Sequence, residues 1–271
     1  SIKITYFQTR SISSAPYTAL RQNNEYSSGH PHMNSIYFHY KFKQLDNAAE
    51  YEYEIELDPQ TLIPIKAIDA SLPDWTKLAF NKCSNCPLGN EVDVCPLAAR
   101  LAPVIDKFAT VISHTQMQTQ VIHNRREYSH IGSAQEGLSA LIGLVSASSG
   151  CPQMEPFRPL ARFHLPFSDF TETYYRTAGN YLYAQYLRAK KGLSFETGLL
   201  GVQQIYTQVE TVNNGLAQRI RSLSRQDSAI NSIIRLNTFA QVANLALDEE
   251  LEEIESLFSS YLVEKPLWER T

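Results

Sequence analysis

The sequence predicts an α+β fold: a small N-terminal antiparallel β-sheet followed by a C-terminal α-helical bundle. Three observations predict it. Residues 36–57 hold two runs of strict period-two alternation. From residue 133 onward, apolar positions recur at helical spacing between recognisable caps. Four cysteines straddle the junction of the two halves. The chain divides accordingly. Residues 1–34 read as an irregular N-terminal extension, residues 35–132 as a β-rich part with a cysteine loop, and residues 133–271 as a helical part able to form one composite domain with 35–132.

The extension is rich in Ser, Tyr and Asn and has no period, and a compact fold beginning near Met33 is one expectation. It holds no basic segment followed by an apolar core, so no secretory signal is expected. The first strand is clearer. Ile36, Phe38, Tyr40 and Phe42 fall on one face, and Tyr37, His39, Lys41 and Lys43 on the other. In residues 50–57, Tyr51, Tyr53, Ile55 and Leu57 oppose four Glu. The short polar linker 44–49 makes these two runs a hairpin with Lys facing Glu across the strands. The Glu row needs only a solvated face to explain it. Asp58-Pro59 ends the second run, and Asp74–Leu78 reads as a short helical turn. A further β stretch is expected to run from Ala109 to Ile131, with Asn124 as its turn residue.

Cys83, Cys86, Cys95 and Cys151 are all the cysteines of the chain. Cys83 and Cys86 form a Cys-x-x-Cys turn, which lets two sulfurs converge on one ion, and three of the four cysteines are followed directly by Pro. Four thiolates suit tetrahedral zinc, and they suit a [4Fe-4S] cluster, whose ligand runs also contain Cys-Pro. The expectation is therefore a structural zinc centre at Cys83, Cys86, Cys95 and Cys151, with His164 in reserve as a ligand. Such a protein would act as a binding or interaction module. An iron–sulfur redox or sensory protein built on the same residues is the alternative. The trio is expected in a loop between β segments, with Cys151 delivered by a helix end. One ion would then clamp the two halves together. Cysteine use without a secretory signal places the protein in the cytoplasm.

Ser133 and Glu136 form a capping box, so a helix begins there, carrying Leu138, Leu141, Ile142 and Val145, with Gly150 beyond its end. The Pro-punctuated segment 156–167 then brings Arg158, Arg162 and His164 close together. With Arg176 they could hold a carboxylate or phosphate, which would make an enzyme with an anion-binding pocket a second alternative. Plain core packing of the Phe residues is the competing explanation. Asp169 with Glu172 starts another helix that Gly192 ends, and further helices are expected from Ser194, Asp227 and Asp248. Short connections predict antiparallel packing of successive helices.

The formal net charge of −4 argues against a nucleic-acid partner. No apolar run approaches the roughly 18 residues of a span, and no membrane partner is expected. The expected partner is a protein or a small anionic ligand. No glycine-rich phosphate loop, zinc-protease motif or serine-nucleophile motif is present, so catalytic residues stay unassigned.

Overall fold

Alternation in the first two runs becomes an edge and a centre of one sheet. Strands β1 (Ile36–Gln44), β2 (Glu50–Leu57), β3 (Gln116–His123) and β4 (Arg126–Ser133) form an antiparallel sheet in the order β2-β1-β3-β4. The computed structural model describes residues 35–68, 71–223, 227–252 and 254–265, with side chains omitted from 242 to 252. The expected extension 1–34 lies outside the described residues. All the described residues belong to one compact unit.

The inner face of β1 is sealed: Ile36, Phe38, Tyr40 and Phe42 are each no more than 1% exposed. The outer face pairs Lys43 with Glu50 at 3.2 Å and His39 with Glu52 at 3.0 Å. Such exposed pairs contribute little beyond register, roughly 0–1 kcal/mol each. Asn124 adopts φ +53° between β3 and β4, as its turn role requires.

Six helices follow or interleave: α1 (Pro96–Lys107), α2 (Ala134–Ala147), α3 (Arg158–Arg162), α4 (Phe170–Lys190), α5 (Leu200–Arg221) and α6 (Asp227–Glu252). Helix α2 starts at the capping box, where Glu136 accepts from the Ser133 amide at 2.8 Å. It lies between the sheet and α6. On the sheet side Gly137 lets the backbone come close, because a Cβ there would sit 2.5 Å from Thr119 Oγ1 and 3.0 Å from a Phe42 ring carbon. On the α6 side small polar residues meet: the Ser139 hydroxyl donates to Gln135 O at 2.6 Å and is 3.3 Å from Ser232 O. Helix α1 closes the sheet beside it, with Phe108 just past its end stacked edge-on against Phe42 at 4.8 Å.

Four expectations are corrected. The cysteine trio does not lie in a loop between strands, since α1 intervenes and Cys95 is its N-cap residue. Helix α1 buries Leu97, Leu101, Val104 and Ile105 and accommodates Pro103 within it. Helix α5 begins at Leu200 and not at Ser194, because Glu196 folds back and accepts from the amides of Leu200 (3.0 Å) and Gly201 (3.2 Å). Helix α6 runs through Asp248 without a break, as no Gly or Pro precedes that residue to stop it. The bundle is also looser than successive antiparallel pairing implies: α2 packs against the distant α6, and α3 is five residues long.

Gly137→Ala should test the close approach of α2 to the sheet. The helix gains propensity, by less than about 1 kcal/mol, while overpacking costs roughly 1–3 kcal/mol. We expect a lower urea midpoint with an unchanged slope; a raised midpoint would show that Thr119 and Phe42 yield freely.

Candidate functional site

Two cavities collect the chemically interesting side chains. The first is small, about 20 Å³, and its lining includes all four cysteines together with Arg219. Local backbone bonds set each sulfur in place. The Cys86 amide donates to Cys83 O at 3.1 Å in the Cys-x-x-Cys turn, and the Cys95 amide donates to Thr76 O at 2.8 Å. The Cys151 amide donates to the Ser149 hydroxyl at 3.2 Å. Cys83 lies over Gly215 of α5, where a Cβ would approach its sulfur to 2.7 Å. Arg219, 1% exposed, has no carboxylate within salt-bridge distance among the described residues. Its guanidinium donates instead to the carbonyls of Trp75 (2.7 Å), Lys77 (2.8 Å) and Leu78 (3.1 Å). That clasp ties the end of α5 to the loop leading into the cysteines.

The four-cysteine metal centre is nevertheless corrected. Among the described residues no group of three or more His, Cys, Asp or Glu side chains is arranged to hold a metal ion. This removes the zinc reading and the cluster reading built on the same ligands. Convergence on a common cavity is a looser condition than convergence on a tetrahedron. The four cysteines are free, with no disulfide. Burial acts on the free thiols by disfavouring their charged form. It pushes the Cys83 thiol up, and it pushes Cys151 up to about 11. His164 is not near this cavity's lining.

The second cavity is large, about 650 Å³, and is walled by α2, α3, α4, α5, α6 and the segment 163–170. Its existence follows from one face of α2. Ser139, Ala140, Gly143, Ser146 and Ala147 recur at helical spacing, all small, and all line the space. A Cβ on Gly143 would meet nothing within 4 Å. Opposite them stand Met154, Phe157, Val209 and Phe239, so the walls are mainly apolar.

A few polar groups interrupt those walls. His164 Nε2 and the Tyr40 hydroxyl share a hydrogen bond at 2.5 Å, across the boundary between sheet and cavity. Burial pushes Tyr40 well above the ordinary phenol range, so it keeps its proton. Burial, and next the Arg176 and His123 charges, lower His164 to about 3, so it is neutral at pH 7. Arg176 donates to Phe163 O at 2.6 Å and has no carboxylate within salt-bridge distance among the described residues. Tyr206, raised to about 12 by burial, shares a 3.1 Å hydrogen bond with Thr177. Asn213, 6% exposed, also lines the cavity. At the rim, Glu136 lies 3.8 Å from His130 and 3.7 Å from Arg235.

Of the four residues expected to bind an anion, the structure brings two, His164 and Arg176, into this lining. Arg158 is occupied by Glu155 at 2.6 Å, and Arg162 is exposed outside the lining. Gly143, Tyr206 and Asn213 were not anticipated. The periodic small face of α2 was the one legible signal, and it resembles an ordinary close-packed helix contact.

The chain belongs to the family described as Domain of unknown function (DUF6901), which matches residues 36–259 and so begins at the first residue of β1 and ends just past Phe258. No curated protein and no solved structure matches it.

Two pH dependences follow. His164 has a folded pKa below its unfolded value near 6.5, so the unfolded chain takes up that proton first. Stability is full above about pH 6.5 and falls as pH drops toward 3, by at most about 1.4 kcal/mol per pH unit. His164→Gln should flatten this slope in urea titrations, and an unchanged slope would assign it to other groups. Cys151 has a raised folded pKa, so its contribution is present below about pH 9 and is lost as pH rises through 11. At pH 8 its thiolate fraction is roughly 100-fold below that of an ordinary thiol. Timed alkylation read by peptide mass spectrometry should find Cys151 labelled far more slowly than a free peptide thiol, and equal rates would contradict its burial.

Proposed function

We propose that this protein binds a small molecule in the cavity bounded by α2, α4, α5 and α6. The observation that carries this is the cavity itself. Its 650 Å³ lies within the roughly 300–1,000 Å³ of ligand pockets, with mainly apolar walls and a few convergent polar groups. The ligand is largely apolar with one anionic or hydrogen-bond-accepting end. Arg176 supports that polarity, as a half-buried guanidinium with no carboxylate within salt-bridge distance among the described residues and only the more distant charge of Glu172 beside it. Neutral His164 and the Asn213 amide supply directional bonds with little charge.

Four unpaired thiols support a reducing compartment such as the cytoplasm as the place of action. No described helix is long and apolar enough to cross a membrane.

Anilinonaphthalene sulfonate, an apolar body with one anionic group, is a direct probe. Its fluorescence should rise saturably on binding. Gly143→Leu projects a side chain into open space, so the variant should fold at least as stably as the parent yet lose the probe. Arg176→Gln should weaken binding about tenfold or more, the worth of a charge-assisted hydrogen bond. A folded Gly143→Leu protein that binds the probe like the parent would overturn the reading.

A further inference from the structure

The hairpin joining α4 to α5 leaves the body of the protein with its apolar residues uncovered. Helix α4 buries only Tyr174, Thr177 and Ala178, all in its first half. From Leu182 to Gly198 every residue is exposed except the half-buried Gln185 and Glu196. Within and just beyond that stretch lie Tyr183 (62% exposed), Tyr186 (56%), Leu193 (51%), Phe195 (57%) and Leu200 (66%). Contiguous apolar exposure of this kind marks an interaction surface.

The arm is built, not frayed. Gly192, at φ +69°, closes α4 with a Schellman motif: its amide donates to Ala189 O and the Leu193 amide to Arg188 O, both at 3.0 Å. Arg188 donates to Ser194 O at 2.7 Å and to the Ser194 hydroxyl at 3.1 Å. Glu196 receives the Tyr181 hydroxyl at 2.5 Å besides the two amides that start α5. These bonds use up the single carboxylate between residues 182 and 198. Arg188, Lys190 and Lys191 are left as a cationic cluster at the apolar turn, on a chain whose net charge is −4.

Cations beside Leu, Phe and Tyr at the end of a protruding element match an anionic lipid surface. The aromatic and aliphatic groups enter the headgroup boundary, and the ammonium groups meet lipid phosphates and carboxylates. Two copies joined arm to arm would instead set Lys190 and Lys191 against their own like charges. We infer that the α4–α5 arm docks this protein peripherally on anionic membranes through Leu193 and Phe195, with Lys190 and Lys191 supplying the charge selectivity. The sequence-based expectation of no membrane partner rested on the lack of a span, and docking needs none.

Co-sedimentation of the full chain with vesicles tests this. Phosphatidylcholine vesicles containing about one third phosphatidylserine should carry the protein down at low salt, and pure phosphatidylcholine should not. Lys190→Glu with Lys191→Glu should weaken binding at least about tenfold. Leu193→Ser with Phe195→Ser should abolish it. Both pairs are exposed, so unchanged circular dichroism and melting should confirm folding. Protein that stays in solution with anionic vesicles, or either double variant sedimenting like the parent, would overturn the proposal. Light scattering showing a dimer that the Leu193→Ser, Phe195→Ser pair dissociates, without vesicle binding, would assign the arm to self-association and also overturn it.

Discussion

Helix α2 is buried on two sides, and its two sides differ in size. Toward the sheet it presents a glycine and large aliphatic residues and packs without a gap. Away from the sheet it meets α6 through Ser139, and beside that contact Ala140, Gly143, Ser146 and Ala147 leave the cavity open. Close-packed interiors seldom leave such a space unfilled, because each missing contact forfeits dispersion energy. A cavity of about 650 Å³ is therefore an expensive feature to keep, and a bound molecule is the direct way to restore the lost contacts. The same asymmetry places Tyr40 of the sheet against His164 of the cavity wall, so the β-rich part contributes directly to the site.

The cysteine loop and the cavity share helix α5. Arg219 near its end holds three carbonyls of the loop, while Val209 and Asn213, further up the same helix, line the large cavity. A buried guanidinium bonded to carbonyls alone is an unusual device, and it adds three donors to a loop otherwise held by local turns and one β-bridge. Burial raises the Cys83 and Cys151 thiols beside it, and these two stay protonated. The four cysteines pack between the loop, α1, α5 and the segment after α2.

Local signals were legible wherever a short stretch of chain decides its own conformation. Alternation at 36–57 returned the hairpin and its register, with Lys41 opposite Glu52 and Lys43 opposite Glu50. Capping boxes at Ser133 and Asp169 returned two helix starts, and Gly192 returned a helix end. Local signals also misled where one residue type has two uses. Asp248 suggested a start inside a continuous helix, and Ser194 suggested a start that Glu196 moved to Leu200.

What the amino-acid sequence determined by itself was the first hairpin, the capped helix starts at Ser133 and Asp169 and the apolar faces of these elements, because periodicity and capping act within a few residues. What the tertiary structure alone decided was which faces meet and where they fail to meet. Four sulfurs came to one small cavity without the arrangement a metal demands, and a stripe of small side chains became the wall of a large one. A metal shell and a binding cavity are both set to within tenths of an ångström by contacts across more than a hundred residues of chain. Spacing along the chain carries no information at that resolution.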